Sequence, residues 1–163
     1  RSGQASAARA HFEDLLRKYA ASSHAPEALH GIAASYGFPQ PPSEAALERG
    51  ASFARRVIAE HPQHPLAAQS AFELGEAHFH LGRTAEAAAA WQAYVQGYGA
   101  VDDARTGEAR VKIGECAERE QRFDEAIAAW KVFLGAHPFH ARGTEMLQRI
   151  ASAELERAGV HAR

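Results

Sequence analysis

Histidine is the residue type in this sequence best suited to metal or acid–base chemistry, with ten copies in 163 residues. Two His-Pro-x-His runs, at residues 61–64 and 137–140, share one pattern, and one residue separates His78 from His80. A firm metal site needs three or four convergent ligands, and no cysteine or carboxylate completes a set beside either run. His78 and His80 would point about 200° apart on a helix, one packed and one facing the groove, so they would not share an ion. We therefore expect the paired histidines at helix ends and turns, with no metal ion or cofactor; a histidine-based metal module is the remote alternative.

No nucleophile in the sequence has the surroundings that catalysis requires. Cys116, the one cysteine, falls inside a predicted helix at a position that takes small packed residues, which predicts a buried and inert thiol. No serine lies in a Gly-x-Ser-x-Gly turn, and the chain has neither a glycine-rich phosphate loop nor a zinc-protease helix motif. We therefore predict that the protein is not an enzyme.

The charge balance gives no support for a nucleic-acid or membrane partner. The chain has 18 Lys and Arg against 20 Asp and Glu, a formal net charge of -2, so it lacks the basic surface that anionic polymers and lipids attract. No apolar run approaches the roughly 20 residues of a membrane span. The first residues are Arg1-Ser2-Gly3 rather than Met, which predicts a processed protein or a fragment of a longer one.

The elements that must position these residues repeat along the chain. A shift of 39 residues places Leu74-Gly75-Glu76-Ala77 over Ile113-Gly114-Glu115-Cys116 and also places Trp91 over Trp130. Apolar residues recur at three and four residues, as in helices, and do not alternate as in strands. Matched tryptophans are more often core residues than ligand platforms, so we expect both to be buried.

Each unit resembles a tetratricopeptide repeat, a helical hairpin of about 34 residues with a small residue near position eight, alanine near position twenty and an aromatic residue four later. The resemblance divides the chain into a half repeat (4–20), a stretched repeat (24–62), two strong repeats (68–101 and 107–140) and a terminal helix (141–157). It implies an all-α fold, a right-handed α-solenoid of antiparallel helix pairs forming a single domain. The predicted helices cover residues 4–20, 26–36, 44–61, 65–81, 84–97, 104–120, 123–136 and 141–157.

The resemblance also implies a partner-binding groove. In this family the first helix of each repeat lines a concave groove, mainly at its second, fifth, ninth, twelfth and thirteenth positions. Carried onto the strong repeats, these positions are Gln69, Phe72, Glu76, Phe79, His80, Glu108, Val111, Glu115, Glu118 and Arg119. The glutamates would favour cations and the phenylalanines would anchor apolar side chains, so we expect a basic or amphipathic protein or peptide partner. The lysines and asparagines of the carboxylate-clamp subgroup are missing from these positions.

Two functions fit these expectations. The first is a non-catalytic scaffold that binds a protein or peptide in the groove, and the alternative is a structural spacer within a larger multidomain protein. The turns around the His-Pro-x-His runs resemble those of bacterial envelope tetratricopeptide proteins, the group with outer-membrane assembly lipoproteins and the Tol-Pal-associated cell-division coordinator. This resemblance favours a periplasmic or envelope location over a cytoplasmic one.

Overall fold

The computed structural model describes residues 2–19, 22–100 and 103–159, and within these ranges it contains eight α-helices and no strand. The helices are α1 (Ser2–Tyr19), α2 (Ala25–Ser35), α3 (Glu44–Glu60), α4 (Pro65–His80), α5 (Thr84–Tyr98), α6 (Asp103–Arg119), α7 (Phe123–Ala136) and α8 (Gly143–Arg157). The predicted all-α fold is confirmed, and each helix lies where the repeat pattern places it, within two residues at either end. Residue 20, the predicted end of the first helix, and residue 101, the predicted end of the first strong repeat, fall outside the described ranges. Within those ranges no helix is long and apolar enough to cross a bilayer.

The chain divides into two compact units. Unit 1 comprises residues 1–83, with α1 to α4, and unit 2 comprises residues 84–163, with α5 to α8. The boundary falls in the turn between α4 and α5, inside the predicted strong repeat 68–101. The prediction of one continuous solenoid therefore stays a prediction.

In unit 1, two aromatic rings lie against glycines of neighbouring elements. A Cβ atom at Gly31 of α2 would lie 2.6 Å from the Phe12 ring of α1, and one at Gly50 of α3 would lie 2.5 Å from the Phe38 ring. Phe38 belongs to the turn that stretches this repeat, and its side chain is buried with Leu47 in the unit 1 core. This turn therefore adds a core residue as well as connecting α2 to α3.

Unit 2 uses the same device between α6 and α7. Gly114 of α6 lies against Trp130 of α7, where a Cβ atom would come within 2.6 Å of the tryptophan Cδ1. Trp130 is fully buried, and its Nε1 donates a hydrogen bond to the Val111 carbonyl at 3.3 Å. The small residue at this repeat position therefore allows the two helices of the hairpin to approach closely, as the pattern predicts.

Candidate partner-binding site

The two His-Pro-x-His runs lie between helices, where the sequence predicts them, and the second histidine of each run caps the following helix. His64 is the N-cap residue of α4, and its Nδ1 accepts a hydrogen bond from the Leu66 amide at 3.3 Å. His140 precedes α8, and its Nδ1 accepts one from the Arg142 amide at 3.1 Å. In both runs the second histidine satisfies an amide at the start of the following helix, a group that would otherwise have no partner within that helix.

The other candidates for chemistry are packed into the interior or exposed singly. His78 is buried and His80 is exposed, so they point in different directions as expected. Cys116 is fully buried, and burial raises the pKa of its thiol to about 11, which leaves it protonated and unreactive near neutral pH. Among residues 2–19, 22–100 and 103–159, no group of three His, Cys, Asp or Glu side chains could hold a metal ion.

The predicted groove residues of α4 are only partly accessible in unit 1. Phe72 is buried, Gln69, Glu76 and Phe79 are half-buried, and His80 is exposed. Phe72 therefore offers no surface to a partner in this conformation, whereas the other four reach the surface.

The predicted groove residues of α6 are more strongly covered in unit 2. Val111 is fully buried in the core cluster that also contains Met146 and Ile150 of α8, so it presents no surface to a partner. Glu115 is almost buried, Glu108 and Glu118 are half-buried, and Arg119 is exposed.

Three carboxylates of α6 are paired with Arg142, the N-cap residue of α8, and with Arg149 within α8. Arg142 donates from Nη1 to Glu108 Oε1 at 3.0 Å and from Nη2 to Glu115 Oε1 at 2.9 Å. Arg149 donates from Nη1 to Glu118 Oε2 at 2.6 Å. Since these bonds are charge-assisted and partly shielded from water, the α6 carboxylates are compensated within their own unit.

Two further side chains complete this ion-pair cluster. Glu145 of α8 accepts hydrogen bonds from Arg142 at 2.9 Å and Arg149 at 3.2 Å, and Lys112 lies 3.4 Å from Glu115. Hydrogen bonding to Arg142 lowers the pKa of the Glu145 carboxyl. We call this group the α6–α8 ion cluster; its members are Glu108, Lys112, Glu115, Glu118, Arg142, Glu145 and Arg149.

The sequence prediction missed the two arginines, although a signal for them was available. Arg142 and Arg149 occupy the second and ninth positions of a repeat counted from residue 141, directly after the strong repeat 107–140. The groove rule applied to the terminal helix would therefore have placed two positive charges beside the acidic residues of α6.

Unit 1 has a different arrangement where α2 and α4 meet. His30 Nδ1 of α2 lies 3.7 Å from Glu73 Oε2 of α4, and Gln69 donates to Glu73 Oε1 at 2.7 Å. Near the start of these helices, His64 Nε2 lies 3.6 Å from Glu27 Oε1. We call this surface the α2–α4 seam; it comprises Glu27, His30, Gln69, Glu73 and Glu76, the last being one helical turn beyond Glu73.

The seam and the ion cluster differ in how their carboxylates are paired. Within the described part of the chain, the ion-pair partners of Glu27 and Glu73 are histidines, which carry a charge only when protonated, whereas Glu108, Glu115 and Glu118 of α6 are paired with arginine or lysine. In the described part of the chain, neither Glu27 nor Glu73 is therefore paired with arginine or lysine. Sequence reasoning overlooked both because neither occupies a groove position of the family pattern.

Comparison with known proteins agrees with this repeat geometry. Two tetratricopeptide repeat family models match the chain, one over residues 44–101 and one over residues 108–140. No curated protein sequence gives a significant match.

Several solved structures are similar in fold. A structure of MamA AMB-1 is 20% identical in sequence and has a TM-score of 0.63; the match covers 98% of this chain and 76% of the MamA chain. A second MamA structure shares 18% identity over 97% and 75% of the two chains, with a TM-score of 0.65. A Podosopora anserina protein named for kinesin light chain, with nearly identical TPR-like repeats, shares 15% identity over 96% and 80%, with a TM-score of 0.65. At these identities the likeness shows the fold alone.

Proposed function

Because this chain belongs to the tetratricopeptide repeat family, a family of protein-interaction scaffolds that are generally non-catalytic, we propose that it is itself a non-catalytic scaffold. A basic or amphipathic segment of its partner lies along the α2–α4 seam.

The pairing of Glu27 and Glu73 with histidines is the observation that carries this proposal. A lysine or arginine of a partner can form a charge-assisted hydrogen bond with either carboxylate without displacing another permanent cation. At 4 Å, two unit charges attract by about 1 kcal/mol in water and by about 4 kcal/mol near a protein surface. The Glu73 side chain is only 15% exposed, so screening by water weakens its attraction less than that of an open carboxylate.

The predicted groove residues of α4 support an amphipathic partner at the same surface. Gln69, Glu76 and His80 follow one face of α4 at helical spacing and continue the seam towards the end of that helix. Phe79 is half-buried nearby along α4 and supplies an apolar contact. A segment with cations on one side and apolar side chains on the other would therefore match both sets of residues.

The predicted groove residues of α6 are a weaker proposal for a basic partner. A cation that approached Glu108, Glu115 or Glu118 would compete with the arginines already bonded to them. Replacing one cation by another would add little binding free energy. This self-compensation favours the spacer function for the α6–α8 part of the chain, where the charges join neighbouring helices.

Charge removal at the seam tests the proposal. The double variant Glu27→Gln/Glu73→Gln is compared with Glu44→Gln/Glu48→Gln, which removes the same charge from two carboxylates of α3 that are paired with Arg83. The probe is a helical peptide with lysines along one face and leucines along the other, and binding is measured by isothermal titration calorimetry at low and high salt.

We expect the seam variant to bind the probe roughly tenfold to thirtyfold more weakly than the wild type, at about 1 kcal/mol for each lost pair. Its binding should also depend less steeply on salt. The α3 variant should bind within about twofold of the wild type. Equal weakening in the two variants would show that total charge, and not the seam, attracts the probe.

A further inference from the structure

A pocket of about 500 Å³ lies in unit 1, where the turn before α2 meets the turn between α3 and α4. The residues that line it include three prolines and two histidines, namely Pro26, Pro62, Pro65, His61 and His64. Proline rings and imidazole faces present mainly carbon to a ligand, so the pocket suits an apolar side chain.

The pocket is held in place by the local structure around it. Pro26 lies in the first turn of α2 and Pro65 is the first residue of α4, so the backbone at both walls has a fixed φ. The His64 ring is held from two sides, by the Leu66 amide at 3.3 Å and by Glu27 at 3.6 Å. A side chain that enters the pocket would therefore order few protein groups, which lowers the cost of binding.

The charges near the pocket are acidic. Glu27 follows Pro26 directly, its side chain is 51% exposed, and its ion-pair partner in the described part of the chain is the pocket residue His64. Glu60, another pocket residue, is bonded to Arg56 of α3 at 2.7 Å. Glu27 is thus the carboxylate beside the pocket with capacity for an incoming cation.

We propose that this pocket binds a phenylalanine or leucine side chain of a partner protein in which lysine or arginine stands directly beside that residue. The apolar side chain lies between the proline rings and the neighbouring cation pairs with Glu27. An acidic neighbour would be repelled by Glu27. The inference rests on the proposed function in that the partner is basic, but it concerns a different set of contacts, namely an apolar anchor at the start of the seam.

The test uses three capped peptides that differ in one feature each: Lys-Lys-Phe-Lys-Lys, Lys-Lys-Ala-Lys-Lys and Glu-Glu-Phe-Glu-Glu. Binding to the complete chain is followed by the shifts of the Gln63 and Leu66 amide resonances in two-dimensional NMR spectra. We expect the lysine–phenylalanine peptide to bind at least fivefold more tightly than the lysine–alanine peptide, and the glutamate peptide to cause no shift at these amides.

A pocket-filling variant provides the second measurement. Ser23 lines the pocket and is exposed, so the tryptophan of Ser23→Trp should occupy the pocket and weaken binding of the lysine–phenylalanine peptide at least tenfold. The control Ser52→Trp, at an exposed position of α3, should leave the affinity within twofold of the wild type. The peptide series decides the matter alone if Ser23→Trp fails to fold.

Equal affinity for the phenylalanine and alanine peptides would overturn the pocket inference. If Glu27→Gln/Glu73→Gln also weakened the binding of both peptides, the proposed function would stand without the pocket inference. Absence of binding by every peptide would overturn the pocket inference as well.

Discussion

Substitution of Gly114 by alanine tests the packing of the repeat, because a single methyl group would enter the contact between α6 and α7. The new Cβ would lie 2.6 Å from Trp130 Cδ1, closer than real Cβ contacts allow. Trp130 cannot move away freely, since it is fully buried and donates to the Val111 carbonyl. We expect Gly114→Ala to destabilise the protein.

The magnitude follows from three effects. Overpacking of a filled core costs about 1–3 kcal/mol, and weakening the hydrogen bond of the indole costs about 1 kcal/mol more. Alanine in place of glycine within a helix recovers about 0.5–1 kcal/mol. The net loss is about 2 kcal/mol, which corresponds to a fall in Tm of roughly 4–8 °C for a chain of this size.

Gly135→Ala is the matched control. Gly135 lies near the end of α7, is exposed, and a Cβ atom there would meet nothing within 4 Å. This variant should gain about 0.5 kcal/mol, because only the helix propensity changes. Both variants are measured by urea unfolding, followed by tryptophan fluorescence and circular dichroism together. The packing argument would be refuted if Gly114→Ala were as stable as Gly135→Ala.

Two further predictions concern unit 2. Arg142→Ala should cost about 2 kcal/mol by leaving partly buried carboxylates without their main cation. Arg157→Ala, which breaks an exposed pair with Asp124, should leave the stability almost unchanged. Because Arg142 lowers the pKa of Glu145, their pair stabilises the fold above the ordinary glutamate pKa, and this stabilisation is lost in acid. The Tm difference between wild type and Arg142→Ala should therefore shrink as the pH falls from about 6 to about 2. A Tm difference that stays constant with pH would contradict the pairing. Gln121 has a φ of 59°, and Gly82, which lies 39 residues earlier at the matching turn, has a φ of 75°. Since glycine adopts a positive φ without strain, Gln121→Gly should raise the free energy of unfolding in urea by about 0.5–1 kcal/mol. A loss of stability would show that the glutamine side chain contributes more than the backbone strain costs.

The helices and their closest contacts were predictable from sequence because they depend on local spacing. Gly114 and Trp130 occur at fixed positions within one hairpin, so the repeat pattern predicts a small residue and a buried aromatic residue there; the contact between the two is a finding of the structure. The position of the histidine runs between helices was predictable for the same reason, whereas the hydrogen bonds that His64 and His140 accept from backbone amides are a finding of the structure.

The charge state of the candidate site was not predictable from that pattern. The expected open acidity of Glu115 and Glu118 depends on which side chains a later helix places opposite them, and α8 places Arg142 and Arg149 there. Val111 occupies a groove position of the family but is buried in a core cluster that includes α8 residues. Local spacing therefore located the helices, whereas the exposure and charge of their faces depended on contacts between helices.

The turn between α2 and α3 shows the same limit. Its prolines predict the break in the helix correctly, but nothing in a proline-rich turn predicts that Phe38 enters the core and lies against Gly50. That contact joins residues on either side of the turn, and it becomes visible only once the chain is folded.

The most direct test of the central claim, that the α2–α4 seam binds a basic segment, is the footprint of the lysine–leucine peptide in amide chemical shifts of the complete chain. If the seam binds this peptide, the perturbed amides should lie mainly in residues 25–35 and 64–80, and raising the salt concentration should reduce their shifts. A footprint confined to α6 and α8, or one unaffected by salt, would contradict it.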